Sequence, residues 1–317
     1  MERVLILGGS YFIGKTIAED LMAHEYQVTL LNRGSRLVEG TRQIICDRDS
    51  EKDLGEALKG QEFDYLVDVS GLNEKQVNDL CGAMELKSLK GAVFISSSAV
   101  YDVEHLQKPF GEEDGKKENK YWGQYGTDKI AAEQAYRSCL EEKGIPLTIL
   151  RPPYVYGEHN YVQRESFVFE HVLTGRPILL PLKNQKLQFI YVKDLAVIVR
   201  KMLEKNQRDM EIYNVGNEEW VTAKEWVQLC ATAMGKRVEL VTFDYKKAGV
   251  GVREFFPFHD YDNVLKVDKI KKICPVETPM IEGLQAAFAW YKKEREGIVM
   301  KEAVRKKEAE ILKMLNL

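Results

Sequence analysis

Apolar residues recur along the first half of this chain in short unbroken runs rather than in strict alternation. VLIL (4–7), QVTLL (27–31), RQIIC (42–46), YLVDVS (65–70), GAVFIS (91–96) and PLTIL (146–150) are rich in Val, Ile and Leu. That is the pattern of strands covered on both faces. Between them lie segments such as GKTIAEDLMAH and YGTDKIAAEQAYRSCLEEKG, whose apolar positions fall at helical spacing, with Gly144 placed to end the second. Six strands alternating with helices predict an α/β fold, a doubly wound parallel sheet of the Rossmann type with a smaller C-terminal substrate domain.

The second half differs in texture. PPYVYGEHNY (152–161) breaks the alternation with two prolines and a run of tyrosines. FIYVKDLAVIVRKMLE (189–204) reads as a strand turning into a helix with Asp194 as its N-cap, and TAKE (222–225) as a capping box opening a further helix. Residues 102–121 form a long polar insertion, expected as a loop near the site rather than a domain boundary. The expected division is 1–155 for dinucleotide binding, 156–186 for a first substrate segment, 187–214 for a return to the Rossmann unit, and 215–317 for the substrate domain and a terminal helix. That helix, KEAVRKKEAEILKMLNL, has a narrow apolar stripe that suits packing onto the body, with docking of a partner as the alternative.

Composition narrows the function classes. The 317 residues carry a formal charge of −3, so no global basic field favours nucleic acid. The five cysteines are scattered with no C-x-x-C pair, and the five histidines show no metal-ligand spacing. Neither a disulfide framework nor a metal site is expected. No stretch approaches the length of a membrane span, and the expectation is a reduced, soluble, cytoplasmic protein.

Candidate chemistry begins at LILGGSYFIGK (5–15), a strand running into a glycine turn and a helix. Such a turn lets a pyrophosphate approach the amide groups of a helix N-terminus. Here Gly8 and Gly9 supply the turn and Gly14 the close packing, while Tyr11 stands where the middle glycine of the fingerprint would be. Taken alone, glycines after a strand can serve turn geometry only. At the end of the second strand, where an NAD-preferring site carries a carboxylate, the chain has Asn32 and Arg33. A guanidinium there suits the extra phosphate of NADP. NADP(H) is therefore favoured, with NAD(H) the alternative. Asp47, after the third strand, could accept from the adenine amine.

YGTDK places Tyr125 and Lys129 at i and i+4, on one face of a helix. A nearby cation lowers the pKa of a phenol that otherwise titrates near ~10. Tyr125 could then exchange a proton with a substrate hydroxyl while hydride is transferred, and Lys129 could also hold the nicotinamide ribose. VFISSSAVYD, about thirty residues earlier, sets serines at the carboxyl end of a buried strand, where open α/β sheets bind ligands.

GGSYFIG, SSSAVY, YGTDKIAAE, RPPYVYG, FIYVKDLA, YNVGNEEWVT and EGLQAAFAWY together resemble the extended short-chain dehydrogenase/reductase family, the NAD-dependent nucleotide-sugar epimerases and dehydratases. The resemblance spans most of the chain. It implies Ser97, four residues before Tyr101, as the catalytic serine with Ser98 as fallback, Tyr125 as base and Lys129 as its partner. The cofactor contacts it implies are Gly8, Gly9, Ser10, Tyr11, Phe12, Ile13, Gly14, Asn32, Arg33, Asp47, Ser70, Gly71, Lys129, Pro152, Tyr154 and Val155, with Pro153 beside the last two. A sugar-like, nucleotide-linked substrate follows from it, as does a homodimer formed through the Y-x-x-x-K helix. No Asp-Glu pair stands beside Ser97, which favours epimerisation or reduction over dehydration. KLQ replaces the arginine that many such enzymes carry before FIYVKDLA. GGSYFIG, LLNRG, LQFIYVKDLA and FFPFHDYDNVLKVDKIKK resemble more closely a branch related to chloroplast stem-loop RNA-binding proteins. RNA binding on the same fold is accordingly the alternative to an enzyme, with nucleic acid ranked below a small-molecule substrate.

Overall fold

The computed structural model describes residues 1–205, 209–294, 298 and 301–317. The predicted runs form strands β1 (Arg3–Leu7), β2 (Gln27–Asn32), β3 (Arg42–Ile45), β4 (Tyr65–Asp68), β5 (Gly91–Ile95) and β6 (Leu147–Arg151). They alternate with helices α1 (Phe12–Ala23), α2 (Glu51–Leu58), α3 (Glu74–Ala83) and α4 (Gln124–Glu141). Later come β7 (Tyr154–Tyr156), α5 (Glu165–Thr174), β8 (Ile178–Pro181), β9 (Lys186–Tyr191), α6 (Val192–Glu204) and β10 (Glu211–Asn214). The chain closes with β11 (Trp220–Thr222), α7 (Ala223–Ala233), β12 (Leu240–Phe243), α8 (Asp268–Lys271), α9 (Met280–Glu294) and α10 (Glu302–Met314).

The main sheet runs β10-β6-β5-β4-β1-β2-β3 with every pairing parallel. The order reverses at β1 and β4, and their carboxyl ends therefore open onto a crevice suited to a ligand. One strand more than predicted is present: EIYN of β10 returns to pair with β6. All of β5 and β6 is buried, as continuous apolar strands between two helical layers require. Two small sheets stand beside it, β11-β9-β7 and β12-β8.

Local signals resolve in different ways. Thr222 and Glu225 form the capping box at α7, a device worth about 1 kcal/mol. Gly144 follows α4 at φ +64°, an angle that favours glycine. Asp194 is not the N-cap of α6; Tyr191 holds that position, and the Asp194 carboxylate accepts from the Thr278 amide and hydroxyl instead. The absence of disulfides is also corrected. Packing of α3 on α4 brings Cys81 and Cys139, 58 residues apart in sequence, into a disulfide. Their separation along the chain conceals that neighbourhood.

The polar insertion is a loop, and it is tied down. Asn119 is buried and donates to Ala99 O and Tyr101 O, while Glu112 offers its side chain to Asn214 N and its carbonyl to Arg151. Beneath it, Arg151 grips Glu133 through two nitrogens, at 2.9 and 2.7 Å, and Ser96 donates to the same carboxylate. The terminal helix α10 packs against the body. Its buried Glu308 meets His171 at 2.9 Å and Arg176 at 3.6 Å, both on or beside α5.

Candidate active site

The crevice at the carboxyl ends of β1, β4 and β5 contains a cleft of about 650 Å³. Gly8, Tyr11, Phe12, Ile13, Ser70, Gly71, Ser97, Ser98, Tyr125, Lys129, Pro152, Pro153, Tyr154 and Val155 all line it. A second cavity of about 280 Å³ shares Gly8 and Ser70 with the first, and adds Ser10, Asn32, Arg33 and Asp47. Gly9 and Gly14 line neither cavity; they make the wall behind it.

The glycine turn has the form that a dinucleotide needs. Gly8 adopts φ +81°, which an L side chain resists. A Cβ on Gly14 would lie 2.2 Å from Gly8 O and 2.7 Å from Gly9 Cα, so only hydrogen fits between helix and turn. Helix α1 begins at this point, and no side chain caps its first amides. Those N–H groups are then available to an anion, with the helix dipole favouring it. Together these features fit the phosphates of a nicotinamide dinucleotide.

Tyr11 does not close the turn. Its backbone is extended (φ −150°, ψ 153°), a conformation open to any residue, so the site does not demand glycine there. Its ring is drawn aside, 5.2 Å from that of Tyr161 and 4.1 Å beneath the Arg36 guanidinium. Beyond the turn, Asn32 accepts from Gly34 N and shapes the end of β2. Arg33 is exposed and makes no ion pair among the described residues. Asp47 accepts from Asp49 N.

Ser97 starts the turn at Ser98–Val100, where its Oγ accepts from Ala99 N at 3.1 Å. Its hydroxyl proton remains available to a ligand. Ser97 is only half-buried, whereas Ser96 is buried on Glu133 and Ser98 is almost fully covered. Tyr125, 39 % exposed, stands across the cleft in the first turn of α4. Desolvation by the surrounding protein raises its pKa; Ser97 and Arg164 oppose that shift.

Lys129 behaves differently from expectation. The i, i+4 spacing does put it below Tyr125, but its ammonium turns into the sheet and donates to Gly71 O at 2.7 Å and Ile95 O at 2.9 Å. Burial lowers its own pKa to about 8, against the pull of Asp68. Two of its three donors are thus committed, leaving one for the cleft.

Several contributors were not visible as motifs. Arg48 reaches under the turn to Asp68 at 2.8 and 3.0 Å and to Ser70 Oγ at 2.7 Å. Asp68, fully buried, also accepts from Tyr136 and from the Ser70 and Gly71 amides, and these contacts hold its carboxyl below the usual range despite burial. That knot fixes the loop whose Gly71 carbonyl holds Lys129. Trp122, Tyr161 and Arg164 also line the cleft. They come from loops and from the entry to α5, and no motif spacing marks them. Among the described residues, no group of three His, Cys, Asp or Glu side chains is arranged to hold a metal, and no helix is long and apolar enough to cross a membrane.

The family model described as "NAD dependent epimerase/dehydratase family" matches residues 4–216, well over half the chain. The chain belongs to the NAD dependent epimerase/dehydratase family. It is 28 % identical over 308 residues to the chloroplast stem-loop binding protein of 41 kDa b of Arabidopsis thaliana, covering 90 % of this chain and 78 % of that one. Its fold matches the crystal structure of UDP-glucose 4-epimerase with UDP-glucose from Thermotoga maritima, with a TM-score of 0.76, 18 % identity, and coverage of 92 % and 99 %. The Thermus thermophilus UDP-glucose 4-epimerase complex with NAD matches at 0.74, with 20 % identity and the same coverage. The epimerase/dehydratase family and its Rossmann sheet, both expected from the motifs, are therefore established for this chain.

Proposed function

We propose that this family member is an NAD(P)-dependent epimerase or oxidoreductase acting on a hydroxyl-bearing carbon of a sugar-like, nucleotide-linked substrate. The observation that carries the reading is the meeting of Ser97, Tyr125 and Lys129 in one cleft that adjoins the glycine turn. Glycines 8, 9 and 14 and the uncapped start of α1 would hold the pyrophosphate of the cofactor. Arg33, unpaired at the end of β2, favours the phosphorylated form, and Asp47 lies on the wall of the same cavity. Relatives in solved structures carry NAD, and the choice between the two forms rests here on Arg33 alone.

A bound nicotinamide would supply the acceptor for hydride leaving the reacting carbon. The protein's part is to move a proton and hold geometry. Ser97 donates to the substrate oxygen, orienting it toward Tyr125, which takes its proton and later returns it. Lys129, anchored on two carbonyls, offers its remaining N–H to the ribose and contributes a fixed positive charge beneath the site. Tyr125→Phe should lower turnover of a nucleotide sugar by roughly 10²–10⁴-fold, the usual worth of a positioned acid–base group. Its cofactor affinity, read by calorimetry, should stay within about two-fold, because the phenol lies outside the phosphate turn. Turnover unchanged in this variant would refute the assignment.

A second reading is favoured by the likeness to the stem-loop binding protein. In it the same fold binds RNA and the cleft is secondary. Gel shift with a stem-loop RNA separates the two, since phosphate-driven binding weakens steeply with added salt.

A further inference from the structure

Arg164 is set apart from the other covered arginines of this chain. Arg48 is paired with Asp68 at 2.8 Å, Arg151 with Glu133 at 2.7 Å and Arg200 with Asp20 at 2.8 Å. Arg164, half-buried at the entry to α5, has no carboxylate at ion-pairing distance among the described residues. Its neighbour Glu165 is turned away, accepting from Gly157 N at 3.1 Å and from Asn160 Nδ2 at 3.0 Å. One guanidinium nitrogen of Arg164 donates to Val155 O, and the group lies 5.3 Å from the Tyr154 ring centroid. A guanidinium carries five donor hydrogens, so most of its hydrogen-bonding capacity faces the cleft unused. Burial disfavours its charge, which lowers its pKa. The Glu165 charge offsets part of that cost without a direct ion pair, and a ligand anion at hydrogen-bonding distance would offset more of it.

Its position says which part of a ligand that would be. Arg164 lines the same cleft as Ser97 and Tyr125, and its positive charge favours the Tyr125 phenolate. The phenol marks the reacting carbon, so the anion belongs close to that carbon and not at a remote phosphate. A single guanidinium matches a single negative charge, and its planar fork matches a carboxylate. Lys129, the other cation lining the cleft, is occupied by two carbonyls.

We propose that Arg164 receives a carboxylate borne by the substrate's sugar ring, which makes the substrate class a nucleotide-linked uronic acid rather than a neutral hexose. The inference rests on the nucleotide-sugar reading above and adds the acidic group to it.

The test compares UDP-glucuronate with UDP-glucose, titrated by calorimetry into the full chain saturated with NADP+. The wild type should bind UDP-glucuronate at least about ten-fold more tightly, the size expected of one charge-assisted contact. Arg164→Gln should abolish the preference by weakening UDP-glucuronate alone, and Arg164→Lys should retain part of it. Thermal melts of each variant with and without NADP+ confirm that fold and cofactor site persist. Equal affinities in the wild type, or a preference that survives Arg164→Gln, would overturn the inference and leave the nucleotide-sugar reading standing. An equal loss for both ligands in Arg164→Gln would also overturn it, assigning the arginine to the shared diphosphate. Binding of neither ligand would overturn both.

Discussion

Lys129 concentrates the electrostatics of the site in one residue. It is 5 % exposed, and burial brings its pKa from 10.5 to about 8. Below about pH 8 the folded state must keep a charge that it disfavours. Between that value and 10.5 the unfolded chain still holds the proton and the folded chain has released it. Stability therefore rises with pH across this window, because the unfolded state binds more protons. Urea denaturation over a pH series should show this rise as a difference between the wild type and Lys129→Met, in which other titrations cancel. A difference that stays flat from pH 7 to 10 would mean that the lysine is not desolvated as its position indicates. Ser97 and Arg164 oppose the upward shift that burial imposes on Tyr125. Sequence spacing put the phenol and the ammonium on one helix face. It could not show that two backbone carbonyls, Gly71 O and Ile95 O, would turn the ammonium inward.

Elements were legible where the signal was local. Runs of Val, Ile and Leu marked β1 to β6, although β3 is the exposed edge of the sheet and not covered on both faces as its run suggested, and the Thr222–Glu225 pair marked the start of α7. The strand β10 was missed because EIYN is short and half polar, and pairing with β6 alone makes it a strand. Asp194 looked like a cap from composition, but a distant partner, Thr278, takes its carboxylate. The terminal helix could be read either as packed or as waiting for a partner, and its buried Glu308 decides for packing. Both ring nitrogens of His171 face acceptors, Phe167 O at 2.7 Å and Glu308 at 2.9 Å, and Arg176 closes the group. Glu308→Ala removes the carboxylate that His171 and Arg176 share and leaves a buried ring nitrogen of His171 without its partner. The expected loss is ~1–3 kcal/mol in urea unfolding, the usual cost of leaving a buried hydrogen-bonding group unsatisfied. Early proteolytic trimming of α10 should accompany it. A change below about 0.5 kcal/mol, the scale of an ordinary surface substitution, would show that α10 is not anchored there.

At the scale of the whole molecule, the parallel sheet opens at the carboxyl ends of its strands onto two adjoining cavities, and apart from Gly9 and Gly14, which stand behind them, the expected catalytic and cofactor residues line one or the other. Much of that site could be read from the chain, because turn, serines and Y-x-x-x-K each occupy a few consecutive residues. The rest of the cleft could not. Trp122, Tyr161 and Arg164 come from connections whose course depends on packing between distant segments. Arg48 was likewise hidden, since its role depends on meeting Asp68, 20 residues later at the end of β4, which β1 and β2 separate from β3 in the sheet. The departure at Tyr11 is resolved by geometry: an extended backbone and a ring turned toward Tyr161 leave the phosphate turn open.

The central claim is that this turn holds a nicotinamide dinucleotide. Its most direct test is calorimetric titration of the purified chain with NADP+ and NAD+, repeated with Arg33→Ala. The account predicts saturable one-to-one binding with NADP+ the tighter ligand, and a loss of about ten-fold for NADP+ alone when the guanidinium is removed. Absence of binding by either dinucleotide would contradict it, and would leave the RNA-binding reading as the one to pursue.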